Sequence, residues 1–450
     1  MDTTLADLKQ THKRFVLTPW AMQAPLDLPM IVRGAGVAMY DADGKRYIDA
    51  SSGLICANLG HGHPAMVGAI REQAETIAYV SPSLFNDRRA ELAETLIGLA
   101  PWSEGGRVFF TVGGTDANED AVKIARTVSG RSKILTGYRS FHGSSLGSST
   151  LTGENRRWAN EPGIGGVVHF FAPYPYRSPF QTHDPGDEMR RAIDHLRDVV
   201  LAEDPERIAA ILIEPVVGSN GVIVYPAGYL AAVRKLCDEY GILLIFDEVM
   251  TGFGRTGAAF GGERFGVIPD MMTFAKGVTA AYVPLGGVMV RESIASYFDD
   301  HQMWLGHTYS GHPLAMAAGL AAIRAYRDER LFERATQIEH VMRAHLDHLK
   351  LKHMEIVGEV RGIGAFFAIE FVSDQDMRTP LVPWQGKSPG IMSTFFAGLR
   401  KRGAIAFGRY SIVHIAPPLI STDDDLAELT AAIDGAIGDL ADAWTKANKN

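Results

Sequence analysis

The sequence predicts an α/β protein, with a large domain built on a mostly parallel central sheet and a smaller α+β domain at the C-terminal end. Between residues 189 and 290, short apolar runs alternate with helix-like segments, as strands and crossover helices do in a doubly wound sheet. Near residue 325 this alternation ends, and a pattern of shorter strands and helices follows. We therefore expect an N-terminal arm and hairpin at 1–60 that joins the small domain, a large domain at 61–325 and the small domain at 326–450.

Size and composition indicate an ordinary globular protein. The 450 residues are 46% hydrophobic and 21% charged, and they exceed the usual size of one domain. The net charge of -8 argues against nucleic acid as the main partner. With only two cysteines, Cys56 and Cys237, neither a disulfide framework nor a cysteine-rich metal site is expected. There is no signal-like segment and no apolar run of membrane-spanning length, so we expect a cytoplasmic protein without a membrane partner.

Little regular structure is expected before a first hairpin. Three prolines oppose helix and strand within residues 1–30, which predicts a loose arm. Two alternating runs flank Asp43-Gly44 and predict a hairpin over 36–50. A helix is expected over 65–78. The two histidines just before it have no acidic partner nearby, so we assign them to a turn and expect no metal site.

A tight turn at the start of a helix is the first candidate site. Residues 108–110 have the pattern of a strand, Gly113-Gly114-Thr115 that of a turn, and 116–128 that of a helix with an apolar face. Free backbone N–H groups at such a helix start bind phosphate well. The alternative is that Thr115 is only a helix cap, worth about 1 kcal/mol, and the two roles are compatible.

Later segments add aromatic and acidic candidates. Phe141 and His142 follow a short strand-like run, where an aromatic ring can lie flat on a planar cofactor, although loop aromatics more often fill cores. The stretch 153–188 is rich in Gly, Pro and aromatic residues without periodicity, which is typical of a binding or interface segment. Glu214 lies within an apolar strand expected at 208–217, so its carboxylate needs a partner such as an arginine.

The most informative stretch is the apolar run 242–246, which is followed at once by Asp247 and Glu248. Ligands of open α/β sheets bind at the carboxyl ends of strands, where these two side chains are expected. Lys276 follows the next strand-like run, 271–274. A lysine near apolar walls loses its proton readily, which suits condensation with an aldehyde. An aspartate keeps a pyridine nitrogen protonated, and the cofactor that requires both groups is pyridoxal phosphate.

The same residues have other interpretations. A strand ending in Asp-Glu often marks a turn or the magnesium-holding pair of an ATPase, and an interior lysine often lies half-buried at a sheet edge. A nucleotide hydrolase also needs a G-x-x-x-x-G-K-[ST] loop. The nearest candidate, Gly386-Lys387-Ser388, has Leu381 where the first glycine belongs, so no such loop is expected. A non-catalytic binding module is disfavoured because Lys276 and Asp247 are both present.

The remaining elements complete the two domains. Helices are expected at 189–201, 228–240, 314–326, 333–351 and 389–402 and from 423 onwards, and strands at 286–290, 363–371, 404–407 and 412–415.

Taken together, these motifs resemble the class III aminotransferases, the ω-transaminase branch of the fold-type I pyridoxal-phosphate enzymes. The resemblance runs from the Asp43-Gly44 hairpin to an Ala416-Pro417-Pro418 turn. Its most specific part is Phe246-Asp247-Glu248-Val249, followed by the glycine-rich segment 252–257 and by Lys276. It implies a fold-type I architecture and an aminotransferase activity.

The resemblance also implies roles at the cofactor. Lys276 would carry the cofactor and shuttle a proton, and Asp247 would pair with the ring nitrogen. Val249 and Phe141 would cover the two ring faces. Gly114 and Thr115 would hold the phosphate, completed by Thr308 from a second subunit, so that a homodimer is expected. The sequence leaves open whether two dimers join into a tetramer. His142 and Glu214 are assigned to the cofactor site as well.

The substrate pocket is less well defined by the resemblance. We assign Trp20, Ile55, Phe85 and Arg409 to it and expect no metal. Related enzymes commonly use a mobile, carboxylate-binding arginine near the Ala-Pro-Pro turn. The position in the amine transaminases falls on Phe407, two residues from Arg409, which is our candidate. Glu214 is the expected partner of Arg409 when no carboxylate is bound.

These expectations describe a ω-aminotransferase. It would move an amino group from a primary amine or ω-amino acid, of the taurine, β-alanine or arylalkyl amine type, to pyruvate or another 2-oxo acid such as 2-oxoglutarate. The alternatives within the family are a 4-aminobutyrate/2-oxoglutarate-type aminotransferase and an aminomutase. The donor, the acceptor and the enantiopreference are left open by the sequence.

Overall fold

The computed structural model of the protein describes residues 5–384 and 390–448. The Gly386-Lys387-Ser388 segment and Pro389, where a helix was expected to begin, lie outside the described residues. The strands are β1 Ile31–Ala35, β2 Ala38–Asp41, β3 Arg46–Asp49, β4 Gly106–Thr111, β5 Lys133–Gly137, β6 Val167–Phe170, β7 Ile208–Ile213, β8 Val216–Val217, β9 Ile223–Val224, β10 Leu243–Asp247, β11 Met271–Phe274, β12 Gly286–Arg291, β13 Val357–Ile363, β14 Phe366–Asp374, β15 Thr379–Pro380, β16 Ala404–Ile405, β17 Phe407–Arg409 and β18 Ile412–Ile415.

Helices surround these strands. They are α1 Leu5–Phe15, α2 Ser52–Ile55, α3 Pro64–Thr76, α4 Asp87–Ile97, α5 Gly114–Ser129, α6 Leu146–Leu151, α7 Pro185–Ala202, α8 Tyr229–Tyr240, α9 Gly261–Arg264, α10 Glu292–Ala295, α11 Tyr297–Asp300, α12 Pro313–Asp328, α13 Leu331–Lys352, α14 Met392–Lys401 and α15 Asp423–Ala447. Short 3₁₀ helices occur at Asn155–Asn160, Pro175–Arg177, Pro205–Arg207 and Lys276–Thr279. No helix in these described ranges is both long and apolar enough to cross a membrane.

The central sheet has seven strands in the order β4-β12-β11-β10-β7-β5-β6. Strand β12 is antiparallel to both of its neighbours, and the other pairs are parallel. The expected fold class, α/β with a mostly parallel central sheet, is therefore confirmed. The register places Asp247 of β10 opposite Thr273 of β11, so the two strands end side by side.

Burial on both faces explains why the central strands are apolar throughout. All six residues of β7 are buried. Ala210 and Leu212 belong to the same buried cluster as the apolar face of α5. Ile211 and Ile213 belong to the larger cluster that includes residues of α7 and α8. Alternate residues thus meet helices on opposite faces, as in other parallel sheets.

Three expectations about elements were wrong. Residues 5–15 form helix α1, although the prolines later in the arm predicted no regular structure there. The stretch 153–188 contains β6, which forms the edge of the central sheet, paired with β5. The strand expected at 208–217 ends at Ile213, and a separate two-residue strand follows Pro215, whose ring removes a backbone donor.

Three smaller sheets accompany the central one in the described residues, and one of them is the two-stranded pair β8-β9. Strand β3 of the expected N-terminal hairpin pairs in parallel with β16, which lies more than 350 residues later in the chain. Strands β13, β14, β18 and β17 form an antiparallel sheet, with β15 on β14. Helix α12 runs through residue 325, the boundary expected from composition. The division at 60 and 325 stays a prediction.

A buried arginine ties the segment after β10 to both ends of the chain. The Nη1 atom of Arg255 donates to the carbonyls of Ala365 and Pro417, at 2.9 and 2.8 Å. Its Nη2 atom donates to Asn58 Oδ1 at 2.6 Å and to Ser52 Oγ at 3.2 Å. Burial lowers the pKa of Arg255 to about 10, which leaves the guanidinium charged at neutral pH.

Replacing Arg255 by methionine should destabilise the fold without a large change in volume. The substitution leaves several buried acceptors without donors, so we expect the free energy of unfolding to fall by about 3 kcal/mol. Urea denaturation followed by circular dichroism measures it. As a control, Arg190→Met removes an exposed arginine of α7 and should change the value by less than about 0.5 kcal/mol. Equal stabilities of the two variants would show that the Arg255 contacts contribute little.

Candidate active site

The centre of the site is the carboxylate of Asp247 at the end of β10. Asp247 is 3% exposed. Its Oδ2 atom lies 2.8 Å from Asn118 Nδ2 and 2.7 Å from His142 Nδ1, and its Oδ1 accepts the Val249 N–H at 3.0 Å. A buried carboxylate is tolerated only when such donors satisfy it. Three separate segments therefore meet at this one group.

Asn118 was not expected at the site. Its amide nitrogen also donates to the carbonyl of His142 at 2.8 Å, and its Oδ1 accepts the Thr273 hydroxyl at 2.8 Å. It thus joins α5 to β10 and β11, the two strands that carry Asp247 and precede Lys276. The available signal was its position next to Ala117 on the apolar face of α5, where a buried polar side chain needs partners.

His142 and Glu214 lie behind the same carboxylate. The Nε2 atom of His142 is 3.1 Å from Thr136 Oγ1, which fixes the ring while Nδ1 faces Asp247. Glu214 accepts backbone N–H groups from Phe141 at 3.0 Å and Gly218 at 2.8 Å. Burial raises the pKa of Glu214 to about 7, and the charge of Asp247 also favours its protonated form.

Lys276 follows β11, beside the end of β10. Its backbone has φ of 49°, in the left-handed region that residues other than glycine seldom adopt and that is common at functional sites. Burial lowers the pKa of Lys276, and the positive charge of Arg156 acts in the same direction. Cys56, Asp247 and Glu214 oppose this lowering. The side chain is therefore an amine that loses its proton more easily than a free lysine.

The helix start expected to bind phosphate is present. Helix α5 begins at Gly114, and its first backbone bond runs from Ala117 N to Gly113 O at 3.1 Å. The preceding N–H groups, including those of Gly114 and Thr115, have no partner within the helix. A Cβ atom on Gly114 would lie 2.9 Å from the methyl groups of Val249, so only glycine fits between that side chain and the turn.

Glu248 points away from Asp247 and has a structural role. Its carboxylate accepts the N–H groups of Gly261 and Gly262, both at 2.8 Å, and the hydroxyl of Thr251. Burial raises the pKa of Glu248 to about 7. The two acids thus do not form a pair that could hold magnesium, and no group of three metal-binding side chains occurs in the part of the chain that the structure describes.

Arg409 is not paired with Glu214, so that expectation was wrong. The Nη2 atom of Arg409 contacts Glu154 Oε2 at 2.8 Å, together with Asn155 Oδ1 and the Tyr410 hydroxyl, both at 3.0 Å. Glu214 instead satisfies backbone N–H groups, which need no charged partner. Glu154 lies in the stretch 153–188, where the lack of periodicity had indicated a binding segment.

The other expected pocket residues, and Thr308, which was assigned to the cofactor phosphate, are placed differently from one another. Trp20 packs edge-on against Phe141, with ring centres 6.4 Å apart. Ile55 is buried in a small apolar cluster with Phe407 at its edge. Phe85 is fully exposed. Thr308 is exposed on a loop, where its carbonyl accepts the Tyr79 hydroxyl at 3.0 Å. None of these contacts links Phe85 or Thr308 to Lys276 within the single chain.

The residues that converge on Asp247 fit pyridoxal phosphate. The helix start at Gly114 offers N–H groups for a phosphate, and Lys276 offers an amine of lowered pKa for an aldehyde. Asp247, held as a hydrogen-bonded carboxylate, suits a protonated pyridine nitrogen. Pyridoxal phosphate requires all three of these groups, and all three lie at the carboxyl edge of a single sheet.

Comparison with known proteins identifies the family. Residues 22–437 match the sequence model of the family described as "Aminotransferase class-III". A probable aminotransferase of Mycobacterium tuberculosis is 36% identical over 411 residues, which cover 88% of this chain and 87% of that protein.

Solved structures agree with this match. The taurine:2-oxoglutarate aminotransferase from Bifidobacterium kashiwanohense, in complex with PLP and glutamate, is 41% identical; the match covers 98% of this chain and 99% of that one, with a TM-score of 0.94. A thermostable (S)-enantioselective omega-transaminase from Thermomicrobium roseum is 36% identical over 97% of this chain and 99% of that one, with a TM-score of 0.91. This chain therefore belongs to the class III aminotransferases, enzymes of fold-type I that use pyridoxal phosphate as cofactor.

Proposed function

We propose that this aminotransferase is a ω-aminotransferase, which takes the amino group of a primary amine or ω-amino acid and gives it to pyruvate or another 2-oxo acid in two half-reactions. The observation that carries the proposal is the placement of Lys276 beside the hydrogen-bonded carboxylate of Asp247 at adjacent strand ends. Printed descriptions of similar structures name a taurine:2-oxoglutarate aminotransferase and an omega-transaminase, which supports donors that carry a terminal amine.

The chemistry divides between cofactor and chain. When bound, pyridoxal phosphate supplies the aldehyde that accepts the amino group and a ring that withdraws electrons from the substrate carbon. Lys276 would hold the cofactor by its aldehyde, and as an amine of lowered pKa it would take and return the proton of the substrate carbon. Asp247 keeps a proton on the ring nitrogen. Asn118 and His142 orient the Asp247 carboxylate, so they act as positioning residues.

The remaining assignments of site residues belong to the same proposal. Val249 and Phe141 would hold the ring from its two sides, and Gly114 and Thr115 would bind the phosphate at the start of α5. Arg409 binds the carboxylate of the 2-oxo acid, and Trp20 and Ile55 line the substrate pocket. Phe85 and Thr308, both exposed in the single chain, reach the site of a second subunit in a homodimer. We also propose a cytoplasmic location, which agrees with two free cysteines in 450 residues.

The visible absorption spectrum of the purified protein tests this proposal directly. The protein loaded with pyridoxal phosphate should show a yellow band that bleaches on addition of taurine, β-alanine or 1-phenylethylamine and returns on addition of pyruvate. Conversion of many equivalents of β-alanine into an isomer without any oxo acid would indicate an aminomutase. Bleaching by 4-aminobutyrate alone, reversed only by 2-oxoglutarate, would favour the 4-aminobutyrate-type enzyme.

Lys276→Ala should abolish transamination, because the variant lacks the amine that we assign to binding the aldehyde and moving the proton. We expect a loss of at least about a thousandfold in kcat and no yellow band, with an unchanged circular dichroism spectrum. The control Lys235→Ala removes an exposed lysine of α8 and should keep both band and rate. Transamination near the normal rate in Lys276→Ala would disprove the assignment.

Asp247→Asn should retain the cofactor but lose most of the rate. Asparagine cannot hold the proton on the ring nitrogen, and an unprotonated pyridine withdraws electrons poorly, so kcat should fall by about a hundredfold or more. Rapid-mixing absorbance of the amine half-reaction measures this. Asp194→Asn, on the exposed side of α7, is the matched control. Equal rates in the two variants would show that another acid pairs with the ring.

A further inference from the structure

A cavity lies where β5 and β6, the last two strands at one edge of the central sheet, come to their ends. Its volume of about 410 Å³ is within the range of about 300–1,000 Å³ that is typical of small-molecule sites. Tyr138 and Arg139 line it after β5, Phe171 lines it after β6, and Trp384 closes it from the segment after β15. Among the described residues that line it, none was assigned above to the cofactor or to the substrate.

The charge of this cavity is positive. The described residues of its lining include Arg139, Arg157 and Arg177 and no acid. Arg157 pairs with Glu161 at 3.3 Å, and Arg177 pairs with Glu370 at 2.5 Å. In the part of the chain that the structure describes, the guanidinium of Arg139 forms neither a hydrogen bond nor a salt bridge, and its contacts are with two aromatic rings. Because arginine keeps its proton in proteins, an unmatched positive charge lies at the cavity wall.

The two rings fix the position of Arg139. Its guanidinium carbon lies 4.2 Å from the ring centre of Trp384 and 5.0 Å from that of Tyr174. Burial lowers the pKa of Arg139, so little water is available to solvate its charge. Its backbone has φ of 70°, in the left-handed region that is common at functional sites. The rings pack on the guanidinium and form no hydrogen bonds with it, so its N–H donors are left for an acceptor.

Other lining residues also carry donors without acceptors. The Nη2 atom of Arg177 and the Nε1 atom of Trp384 are buried without a hydrogen-bond partner. Such groups are rare in folded proteins, and a missing ligand is one explanation for them. Tyr138 and Phe171 add an aromatic wall, with ring centres 4.8 Å apart. Phe171 is 50% exposed, so the cavity is open to solvent at this wall. The lining thus combines cationic donors with a surface that suits a flat ring.

We propose that this cavity binds an aromatic carboxylate, whose acid group accepts hydrogen bonds from Arg139 and whose ring packs against Tyr138 and Phe171. A guanidinium fork matches the two oxygens of a carboxylate. The site lies outside the catalytic one but next to its support. The N–H of Arg139 donates to the carbonyl of Gly153 at 3.0 Å, and the next residue, Glu154, holds Arg409. A bound acid therefore stabilises this segment without entering the cofactor site.

Calorimetric titration of the enzyme loaded with pyridoxal phosphate tests the proposal, with benzoate as the probe. Benzoate should bind with a Kd of about 1 mM or tighter. Benzamide has the same shape without the charge, so it should bind at least about tenfold more weakly. Cyclohexanecarboxylate keeps the charge but lacks the flat ring, so its binding should be about two- to tenfold weaker.

Variants locate the binding. Arg139→Met should raise the Kd of benzoate at least about tenfold. Ala172→Leu fills the cavity without removing a charge and should do the same, even where Arg139→Met does not fold. Arg409→Met removes the arginine that we assign to the 2-oxo acid, and it should leave the Kd within about twofold because Arg409 is outside this lining. Arg207→Met, at an exposed arginine, is the matched control and should also leave it unchanged.

Several results would overturn the proposal. They are no binding of benzoate at about 10 mM, equal Kd values for benzoate and benzamide, and an unchanged Kd in the folded variants of Arg139 and Ala172. Loss of binding in Arg409→Met alone would place benzoate at the catalytic site and would overturn it as well. None of these results bears on transamination, so the ω-aminotransferase function is tested separately by its absorption spectrum.

Discussion

The buried carboxylate of Asp247 is the constraint on which the rest of the site depends. A carboxyl group that is 3% exposed is tolerated only when hydrogen-bond partners satisfy both of its oxygens. Those donors come from Asn118 on α5, from His142 after β5 and from the turn at Val249. Satisfying one charge therefore fixes α5, the loop after β5 and the end of β10 relative to one another. The same arrangement brings the start of α5 and Lys276 to one sheet edge.

The segment after Asp247 shows how the sheet edge is held rigid. Glu248 uses both oxygens to bind backbone N–H groups of α9, and Arg255 bonds to carbonyls and side chains from both ends of the chain. Each is fully buried, so each polar contact is protected from water. Polar residues of one motif thus have different roles. Asp247 is the residue that we assign to the cofactor, whereas Glu248 and Arg255 stabilise the surrounding fold. The residues of such a motif therefore serve both the reaction and the stability of the fold.

The sequence predicted the reaction and the sheet better than the pocket. Apolar runs and helical periods identified β10, β11 and α5, because strands buried on both faces leave a clear pattern. Asp247 and Lys276 were found because they directly follow such strands. Asn118, Glu154 and Arg156 were not found, because their partners lie on segments distant in the chain or in a stretch without periodicity. The Glu214 pairing was wrong for a related reason: backbone N–H groups, which any sequence supplies, satisfied the carboxylate.

The difference between the predicted and the missed residues follows from how an enzyme uses binding energy. Groups at the reacting carbon are restricted by the chemistry, so their identity and spacing are common to enzymes with the same reaction. A remote acid group contributes by holding the reacting carbon in place, which any well-placed cation can do. Glu154, for example, accepts from Arg156 with one oxygen and from Arg409 with the other, so one buried carboxylate orients both side chains. Residues that contact a remote part of the substrate are therefore less restricted in identity and spacing than those at the reacting carbon, so sequence motifs carry less information about them.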